Sequence, residues 1–380
     1  MSKDMTFMNQ AIPSIAIDGR ELTNKGTGIG RYTENLIKHL LKIDKQTRYY
    51  VLTNGKNIYL GKHKNLTVIS SKKMKRRTWE TRFVPQIMKK YKVNLFHNTR
   101  SGNTFFEVLD IPYVTTVHDI IPLKFEEEFP QKTVERWKNS FSPYVDGAKH
   151  IISISKKTSE DLVGFTGIDE RKISLIYQGI DSKNKRISKE EARLLVKQQY
   201  DLEQPYILTV GRSQHYKNIK ALIKAYSILP DEIRKKVKLV ITGNGAENYK
   251  LMINELSLQE DVKLLGYVPD QFLPILFSAS ELFVFPSLYE GFGLPPLEAM
   301  AYGVPVISSN MDTMVEVLEE AAIYFDPNSP DEMAEKIKLM LTNPSLCIEM
   351  GEKGLEQAKK YTWEETARQT LQVYQSVLGE

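Results

Sequence analysis

The sequence predicts an α/β protein built from two doubly wound domains, and three observations lead to that prediction. The chain has 380 residues, which is more than one hydrophobic core usually serves, so two domains are expected. Short β-branched runs alternate with segments of helical periodicity in both halves, as is typical of parallel sheets flanked by helices. A polar stretch, residues 181–205, separates the halves, and we place the hinge near Asp181.

The predicted strands are short runs rich in Val, Ile, Leu, Tyr and Thr. In the first half they are Ser14–Asp18, Tyr49–Thr53, Thr67–Ser70, Leu95–His97, Tyr113–Val117 and Ile151–Ser155. In the second half they are Tyr206–Val210, Val237–Thr242, Val262–Leu265, Leu282–Phe285 and Val304–Ser308. In open α/β sheets ligands bind beyond the carboxyl ends of the strands, so the residues that follow each strand are the candidates for function.

The composition excludes several classes of protein. With 41% hydrophobic and 26% charged residues, the chain can form real cores and is not predicted to be disordered. Cys347 is the only cysteine, which excludes intrachain disulfides and a cysteine-rich zinc site and favours a reducing compartment. No run has the length of a membrane span and the first residues lack the apolar core of a signal peptide, so a cytoplasmic protein is expected.

The charge is unevenly distributed between the halves. Residues 1–182 carry 30 Lys and Arg against 19 Asp and Glu, whereas residues 183–380 carry 22 against 28. This asymmetry suggests that the first half meets an anionic partner. The densest basic segment, residues 72–92, could lie at the inner face of an anionic membrane or face a lipid diphosphate, or it could be a solvated helix with its apolar side in the core. Nucleic acid is disfavoured because no binding motif is present and the second half is acidic.

The most informative stretch is LFVFPSLYEGFGLPPLEAMAYGVPVISS, residues 282–309. After a strand, glycines allow close backbone approach, and two prolines suit the first turn of a helix that should stop near Gly303. The free N–H groups and positive dipole end of that helix favour an anion such as a phosphate. Two carboxylates, Glu290 and Glu298, bracket the opening, and we predict that they bind a ligand.

A second group of candidates follows the strand Tyr206–Val210. Arg212 and Lys217 precede the helix of IKALIKAY, for which Asn218 is a predicted N-cap. A cation at a helix N-terminus is unfavourable unless an anion lies there, so these two cations predict a diphosphate site.

Weaker signals come from three other strand ends. Gly243, in ITGNG, would let the backbone approach a nucleotide. Gly28 and Gly30, in KGTGIGRY, do not have the G-x-G-x-x-G spacing, so a nicotinamide cofactor is disfavoured. His118 and Asp119 directly follow the strand Tyr113–Val117, at the edge where a cleft is predicted.

With these motifs the chain resembles the retaining GT-B glycosyltransferases of the family 4 type, which include bacterial mannosyltransferases. The paired-glutamate pattern of that family, E-x7-E, matches Glu290 to Glu298 within EGFGLPPLE. The resemblance extends over essentially the whole chain through DGRELTNKGTGIGRY, TTVHDIIPL, ISISKKTSEDL, LTVGRSQHYKN, ITGNG and LLGYVPD.

The resemblance implies two Rossmann-like domains that face each other across a cleft. Residues 1–182 would bind the acceptor, residues 183–361 would bind the nucleotide-sugar donor, and the helix within residues 362–380 would cross back to the first domain. It also implies catalytic roles for His118, Asp119, Arg212, Lys217 and Glu290. Donor-binding positions would be Gly28, Gly30, Gly211, Gly243, Tyr267, Val268, Gly291, Phe292, Gly293, Leu294 and Glu298.

In these roles, Arg212 and Lys217 would stabilise the departing diphosphate, Glu298 would bind the ribose hydroxyls and Glu290 would orient the sugar. His118 would contact the transferring sugar, with Asp119 orienting it. The family is generally thought to act by a same-face substitution that needs no protein nucleophile, and we expect neither a cofactor nor a metal, since the chain has no D-x-D triplet.

The implied function is transfer of a sugar from a nucleoside diphosphate to a hydroxyl of a glycan or polyprenyl-diphosphate-linked acceptor in cell-surface polysaccharide, such as lipopolysaccharide. GDP-mannose is the first candidate for the donor. Two alternatives stay open: a sugar-nucleotide epimerase on the same fold, and a non-catalytic module that binds a sugar nucleotide.

Overall fold

The computed structural model describes residues 12–23, 27–100, 109–180 and 187–379 and contains two parallel β-sheets. The first sheet has seven strands: β1 (Ser14–Asp18), β2 (Arg48–Asn54), β3 (Leu66–Ser71), β4 (Leu95–Asn98), β5 (Tyr113–Val117), β6 (His150–Ser153) and β7 (Ile173–Leu175). The second has six: β8 (Tyr206–Val210), β9 (Lys238–Thr242), β10 (Val262–Gly266), β11 (Leu282–Phe285), β12 (Val306–Ser309) and β13 (Ala322–Phe325). The predicted hinge at Asp181 lies outside the described residues.

Both sheets are doubly wound. Their strand orders are β3-β2-β1-β4-β5-β6-β7 and β10-β9-β8-β11-β12-β13, and every pairing is parallel. The order reverses between β1 and β4 in the first sheet and between β8 and β11 in the second. These two reversals are where ligands bind in open sheets of this kind. The predicted class, two Rossmann-like α/β domains facing each other across a cleft, is therefore the observed one.

Helices cover both faces of each sheet. In the first domain they are α1 (Gly28–Ile43), α2 (Arg76–Thr78), α3 (Val84–Tyr91), α4 (Ile121–Lys124), α5 (Gln131–Asp146) and α6 (Lys156–Thr166). The second carries α7 (Lys189–Tyr200), α8 (Ile219–Ile228), α9 (Asp231–Arg234), α10 (Lys250–Glu255), α11 (Leu273–Ala279), α12 (Leu294–Ala301), α13 (Asp312–Leu318), α14 (Pro330–Leu341) and α15 (Pro344–Lys359). The last helix, α16 (Trp363–Leu378), returns to the first domain.

The return of α16 is fixed by its buried side chains. Trp363 and Tyr374 belong to the same core cluster as β1 and α1, and Tyr374 Oη lies 2.6 Å from Nδ1 of the buried His97 on β4. The crossover is tight, because a Cβ on Gly179 would lie 2.1 Å from the backbone nitrogen of Trp363. The start of α16 therefore packs directly against Gly179 of the first domain.

The structure corrects several sequence-based boundaries. Strands β7 and β13 were not predicted, because both are short and lie near sheet edges. The strand predicted at Ile151–Ser155 ends at Ser153, since the Ser155 hydroxyl caps α6 by accepting from Thr158 N. The last strand of the predicted set begins at Val306 rather than at Val304.

The basic segment, residues 72–92, forms α2, a π-helical turn at Trp79–Phe83, and α3. Its large apolar side chains Trp79, Ile87 and Met88 are buried in the core of the first domain. The segment is therefore a helix with its apolar side in the core, and those side chains are not available to a bilayer. In the described part of the chain, no helix combines the length and apolarity that a membrane crossing requires.

Candidate active site

A cleft of about 500 Å³ lies between the two sheets, at the carboxyl ends of their strands. All the residues predicted for the site line it except Gly30. The predicted residues along its walls are Gly28, His118, Asp119, Gly211, Arg212, Lys217, Gly243, Tyr267, Val268, Glu290, Gly291, Phe292, Gly293, Leu294 and Glu298. Gly30 lies in the first turn of α1, where its N–H donates to the capping hydroxyl of Thr27 at 3.1 Å, so Thr27 and Gly28 face the cleft in its place.

Glu290 is held in the loop that follows β11. Its Oε1 accepts from Ser287 Oγ at 2.8 Å and from Lys217 Nζ at 2.5 Å, and its backbone carbonyl accepts from Thr313 Oγ1 at 2.9 Å. The residue is 8% exposed. A carboxylate with fixed neighbours and little solvent has a defined orientation, as a group that positions a sugar needs.

The two predicted cations differ in their surroundings. Lys217 ends a 3₁₀ turn before α8 and is paired with Glu290. Arg212 is exposed on the cleft wall, and its guanidinium forms no ion pair with any carboxylate in the described ranges of the chain. An unpaired cation beside a second cation makes this part of the cleft suited to an anion.

Asn218 lies at the start of α8 as predicted, but it does not cap the helix with its side chain. Its backbone is left-handed, with φ of 55°, and its Nδ2 donates to Pro327 O at 2.8 Å. The N-terminal N–H groups of α8 therefore have no side-chain cap from this residue.

Glu298 is paired across the domains. It lies on α12, whose N-terminus points into the cleft behind Gly293 and two prolines, and its carboxylate accepts a hydrogen bond from Arg31 of α1. Glu298 is 12% exposed. Both glutamates of the E-x7-E pattern thus face a cation in this structure, Glu290 from its own domain and Glu298 from the other.

His118 is neutral in the folded protein. Burial lowers its pKa to about 4, and its Nε2–H donates to Thr99 O at 2.8 Å. The side-chain nitrogen of Gln178 lies 3.5 Å from Nδ1. These contacts with Thr99 and Gln178 help to orient the imidazole. Because the ring is uncharged, the positive charge of the cleft comes from Arg212 and Lys217.

Asp119 has a different local role. Its Oδ1 accepts from Ile121 N at 3.0 Å and so holds the turn that begins α4. Burial and the charge of Glu290 raise its pKa to about 6, against the opposing effects of the Ile121 N–H and of Lys217. The Asp119 carboxyl lines the cleft, where the charges of both Glu290 and Lys217 act on it.

Two glycines are required by close approach. A Cβ on Gly291 would lie 1.9 Å from the carbonyl oxygen of His118, on the opposite domain. At Gly243, with φ of 135°, a Cβ would lie 2.0 Å from the carbonyl oxygen of Gly211. The cleft therefore depends on backbone contacts that any side chain would separate.

Sequence reasoning missed several cleft residues, among them Arg31, Gln178 and Tyr216. Gln178 follows β7, the edge strand that was not predicted, and its buried Oε1 has no hydrogen-bond partner among the described residues. Arg31 directly follows the last glycine of GTGIGRY, and this position beside a predicted loop is the one sequence feature that could have indicated it as a cleft residue. A cross-domain pair such as Arg31 with Glu298 has no signal in one sequence.

Comparison with known proteins matches each half of the chain to a glycosyltransferase family model. The model described as Glycosyltransferase Family 4 matches residues 26–184, and the model described as Glycosyl transferases group 1 matches residues 191–357. The O-antigen chain mannosyltransferase B of Escherichia coli is 31% identical over 369 residues, which cover 92% of this chain and 96% of that protein.

Solved structures with this fold include two informative examples. Sucrose-phosphate synthase from Thermosynechococcus elongatus superposes with a TM-score of 0.76 at 20% identity, over 97% of this chain and 99% of the other. The Anabaena protein HepE, in complex with UDP and glucose, superposes with a TM-score of 0.72 at 18% identity, over 96% and 100% of the two chains. At these identities the likeness concerns the fold.

Proposed function

The chain belongs to the family 4 glycosyltransferases of the GT-B fold, and we propose that it transfers mannose from GDP-mannose to a hydroxyl of a growing cell-surface polysaccharide, with retention of the anomeric configuration. The glycosyltransferase class follows from the family. The sugar, the nucleotide, the stereochemistry and the acceptor are our proposal.

One observation carries the proposal. Two cations, two carboxylates and a helix N-terminus from the second domain meet the end of β5 from the first domain around a single cleft. A nucleoside diphosphate sugar presents the complementary groups, namely two phosphates, ribose hydroxyls and sugar hydroxyls.

The binding roles follow from charge and position. Arg212 and the N-terminus of α12 offer positive potential to the diphosphate, and Lys217 joins them when it leaves Glu290 for a phosphate oxygen. Glu298 accepts hydrogen bonds from ribose hydroxyls, and these replace its ion pair with Arg31 when the donor binds. Glu290, fixed by Ser287, accepts hydrogen bonds from the sugar.

In the proposed reaction the bond between C1 of the sugar and the phosphate oxygen breaks, and a bond from C1 to the acceptor oxygen forms on the same face. The acceptor proton passes to the departing diphosphate. Negative charge accumulates on that diphosphate, beside Arg212 and Lys217, so these cations stabilise the transition state more than the ground state. Neutral His118 at the end of β5 borders the sugar without repelling its developing positive charge.

The choice of mannose and of a polysaccharide acceptor is supported by the relative from Escherichia coli, whose name describes an O-antigen chain mannosyltransferase and whose match spans nearly both chains. The structural neighbour that holds UDP and glucose has the same fold at 18% identity, so UDP sugars are the matched comparison for any donor assay.

The test is turnover of GDP-mannose with a lipid-linked O-antigen intermediate as acceptor, with UDP-glucose in parallel and with EDTA added to half the samples. We expect GDP release, a mannosylated product whose anomeric proton and carbon signals show the configuration of the donor, and no effect of EDTA. A product of inverted configuration would overturn the retaining mechanism, and turnover of UDP-glucose alone would overturn the proposed donor.

A further inference from the structure

A second cavity, of about 340 Å³, opens from the active-site cleft on the side of the first domain. Four arginines line it: Arg76, Arg100, Arg136 and, on the wall shared with the cleft, Arg212. We call the first three, with the space they enclose, the arginine pocket. Asp119 and Ile121 also line both cavities, so the arginine pocket and the cleft form one continuous space.

The position of this pocket in the fold is that of a ligand site. The strand order of the first sheet reverses between β1 and β4, and Arg100 comes two residues after the end of β4. Arg76 begins α2, which follows β3, and Arg136 lies on α5, which follows β5. The pocket therefore lies at the reversal point of the first domain, where doubly wound sheets bind ligands.

The carboxylates nearby do not balance these arginines. Glu80 is shared, because its Oε1 accepts from Arg76 Nε at 2.8 Å and from Arg20 Nη1 at 2.7 Å. Arg20 is also paired with Asp18. Arg76 Nη2 is buried without a hydrogen-bond partner in the described part of the chain. A buried guanidinium nitrogen without an acceptor is costly, so a bound acceptor group would stabilise this arrangement.

The other two arginines differ in their pairing. Arg100 Nη1 forms an ion pair with Glu21 Oε1 at 3.2 Å. Arg136 is exposed at the rim and pairs with no carboxylate within residues 12–23, 27–100, 109–180 and 187–379. Burial lowers the pKa of Arg76 and of Arg100, and neighbouring arginines add to this effect, although Glu80 beside Arg76 and Glu21 beside Arg100 oppose it. The cluster thus destabilises its own charges until an anion enters.

We propose that the arginine pocket binds a phosphate or diphosphate group of the acceptor substrate. The inference rests on the proposed function, because it assigns the donor diphosphate to the other side of Arg212. Guanidinium forks match phosphate oxygens bidentately, and three of them with an unpaired donor suit a dianion. Besides Asp119 and Gln214, the wall includes the apolar side chains of Pro122, Phe129 and Trp137, which can pack against a chain attached to the phosphate.

The probe is inorganic pyrophosphate, titrated calorimetrically into the full-length protein. The background variant is Lys217→Ala, which weakens the donor diphosphate site and leaves the arginine pocket intact. We expect one pyrophosphate to bind this variant. A second substitution, Arg136→Ala, should weaken that binding about tenfold or more, because one charged fork is lost. Arg76→Ala should do the same, and it serves as a second variant of the pocket.

Lys132→Ala is the matched control, since Lys132 is an exposed cation on the same helix as Arg136 and does not line the pocket. It should leave the pyrophosphate affinity within about twofold. Geranyl diphosphate in a parallel titration separates two sources of the anion. Tighter binding than pyrophosphate indicates a lipid-linked diphosphate, and equal binding indicates a phosphorylated sugar without an apolar chain.

The proposal would be overturned if the Lys217→Ala protein bound pyrophosphate with the same affinity whether or not it also carried Arg136→Ala or Arg76→Ala. GDP titrated into the wild type keeps this failure separate from failure of the proposed function. GDP binding without arginine-dependent pyrophosphate binding rejects the pocket alone, whereas arginine-dependent pyrophosphate binding without GDP binding rejects the donor assignment alone.

Discussion

Substitution of Gly291 by Ala should separate the two domains at the active site. The added Cβ would lie 1.9 Å from the carbonyl oxygen of His118, whereas ordinary van der Waals contact begins at 3.4 Å. The loop after β11 and the end of β5 must therefore move apart by about 1.5 Å. The same loop is tied to the first domain by Thr158 Oγ1, 3.3 Å from Gly291 O, and by Tyr289 Oη, which donates to Asp161 at 2.8 Å.

A displacement of about 1 Å between reacting groups can cost about 10²-fold in rate, which corresponds to about 2.7 kcal/mol in the barrier. We expect Gly291→Ala to lower kcat by about that factor. The affinity for the nucleoside diphosphate should change by less than about threefold, because most of its predicted contacts lie on the second domain. The assay is release of nucleoside diphosphate at saturating donor, with nucleotide affinity measured by calorimetry on the same protein.

The matched control is Gly164→Ala on α6, where an added Cβ meets no atom within 4 Å. In a helix interior this change should stabilise the protein by about 0.5–1 kcal/mol and leave kcat unchanged. Wild-type kcat in Gly291→Ala, with an unchanged circular dichroism spectrum, would refute the view that this domain contact positions the reacting groups.

Two further predictions concern the cleft itself. Lys217→Ala and Glu290→Ala should each lower the rate of nucleoside diphosphate release by about 10²-fold or more, because each removes a group that meets the reacting sugar phosphate. The circular dichroism spectrum should stay that of the wild type. Wild-type rates in either variant would reject the assignment of that residue to the site. The free energy of unfolding should fall as the pH drops from 6.5 towards 4, since the unfolded chain binds a proton at His118 that the folded chain, with a pKa of about 4, does not. The contribution of His118 is at most about 3 kcal/mol, and Asp119 opposes it, because a raised pKa of about 6 favours the folded state at low pH. When the free energy of unfolding is measured in urea, His118→Gln should flatten its decline with pH. An equal decline in that variant would show that His118 is not its source.

Much of the fold could be predicted because the central strands are apolar runs with clear ends. Strands such as β5, β8 and β11 were predicted with the bounds that the structure shows. Edge strands β7 and β13 were not, since they have few residues and one neighbour, so their pairing is decided by tertiary contacts. The missed β7 also explains why Gln178, three residues beyond it, was not a candidate.

The candidate site was predictable where each residue follows a strand within its own domain. Arg212, Lys217 and Glu290 are examples, and the structure brings them to one cleft. Contacts between the domains were not predictable, because Arg31 with Glu298 and Gly291 with His118 depend on how the domains are oriented. The hydrogen bond by which the Asp119 carboxylate holds the next turn of backbone was also not predicted.

The neutral state of His118 and the unpartnered nitrogen of Arg76 also required the structure. Both follow from burial, which one sequence does not report for a polar residue at a strand end or on a basic helix. The basic segment, residues 72–92, had two readings, and the burial of Trp79 favours a core-packed helix whose first arginine turns towards the arginine pocket.

The central claim is that the cleft between the sheets binds a nucleoside diphosphate through Lys217 and its neighbours. Calorimetric titration of the wild type and of Lys217→Ala with GDP, UDP, ADP and dTDP tests it most directly. We predict one preferred nucleotide, with GDP first, and a loss of its affinity by about tenfold or more in Lys217→Ala. Binding of none of the four, or equal affinity in the two proteins, would contradict the assignment of this cleft as the donor site.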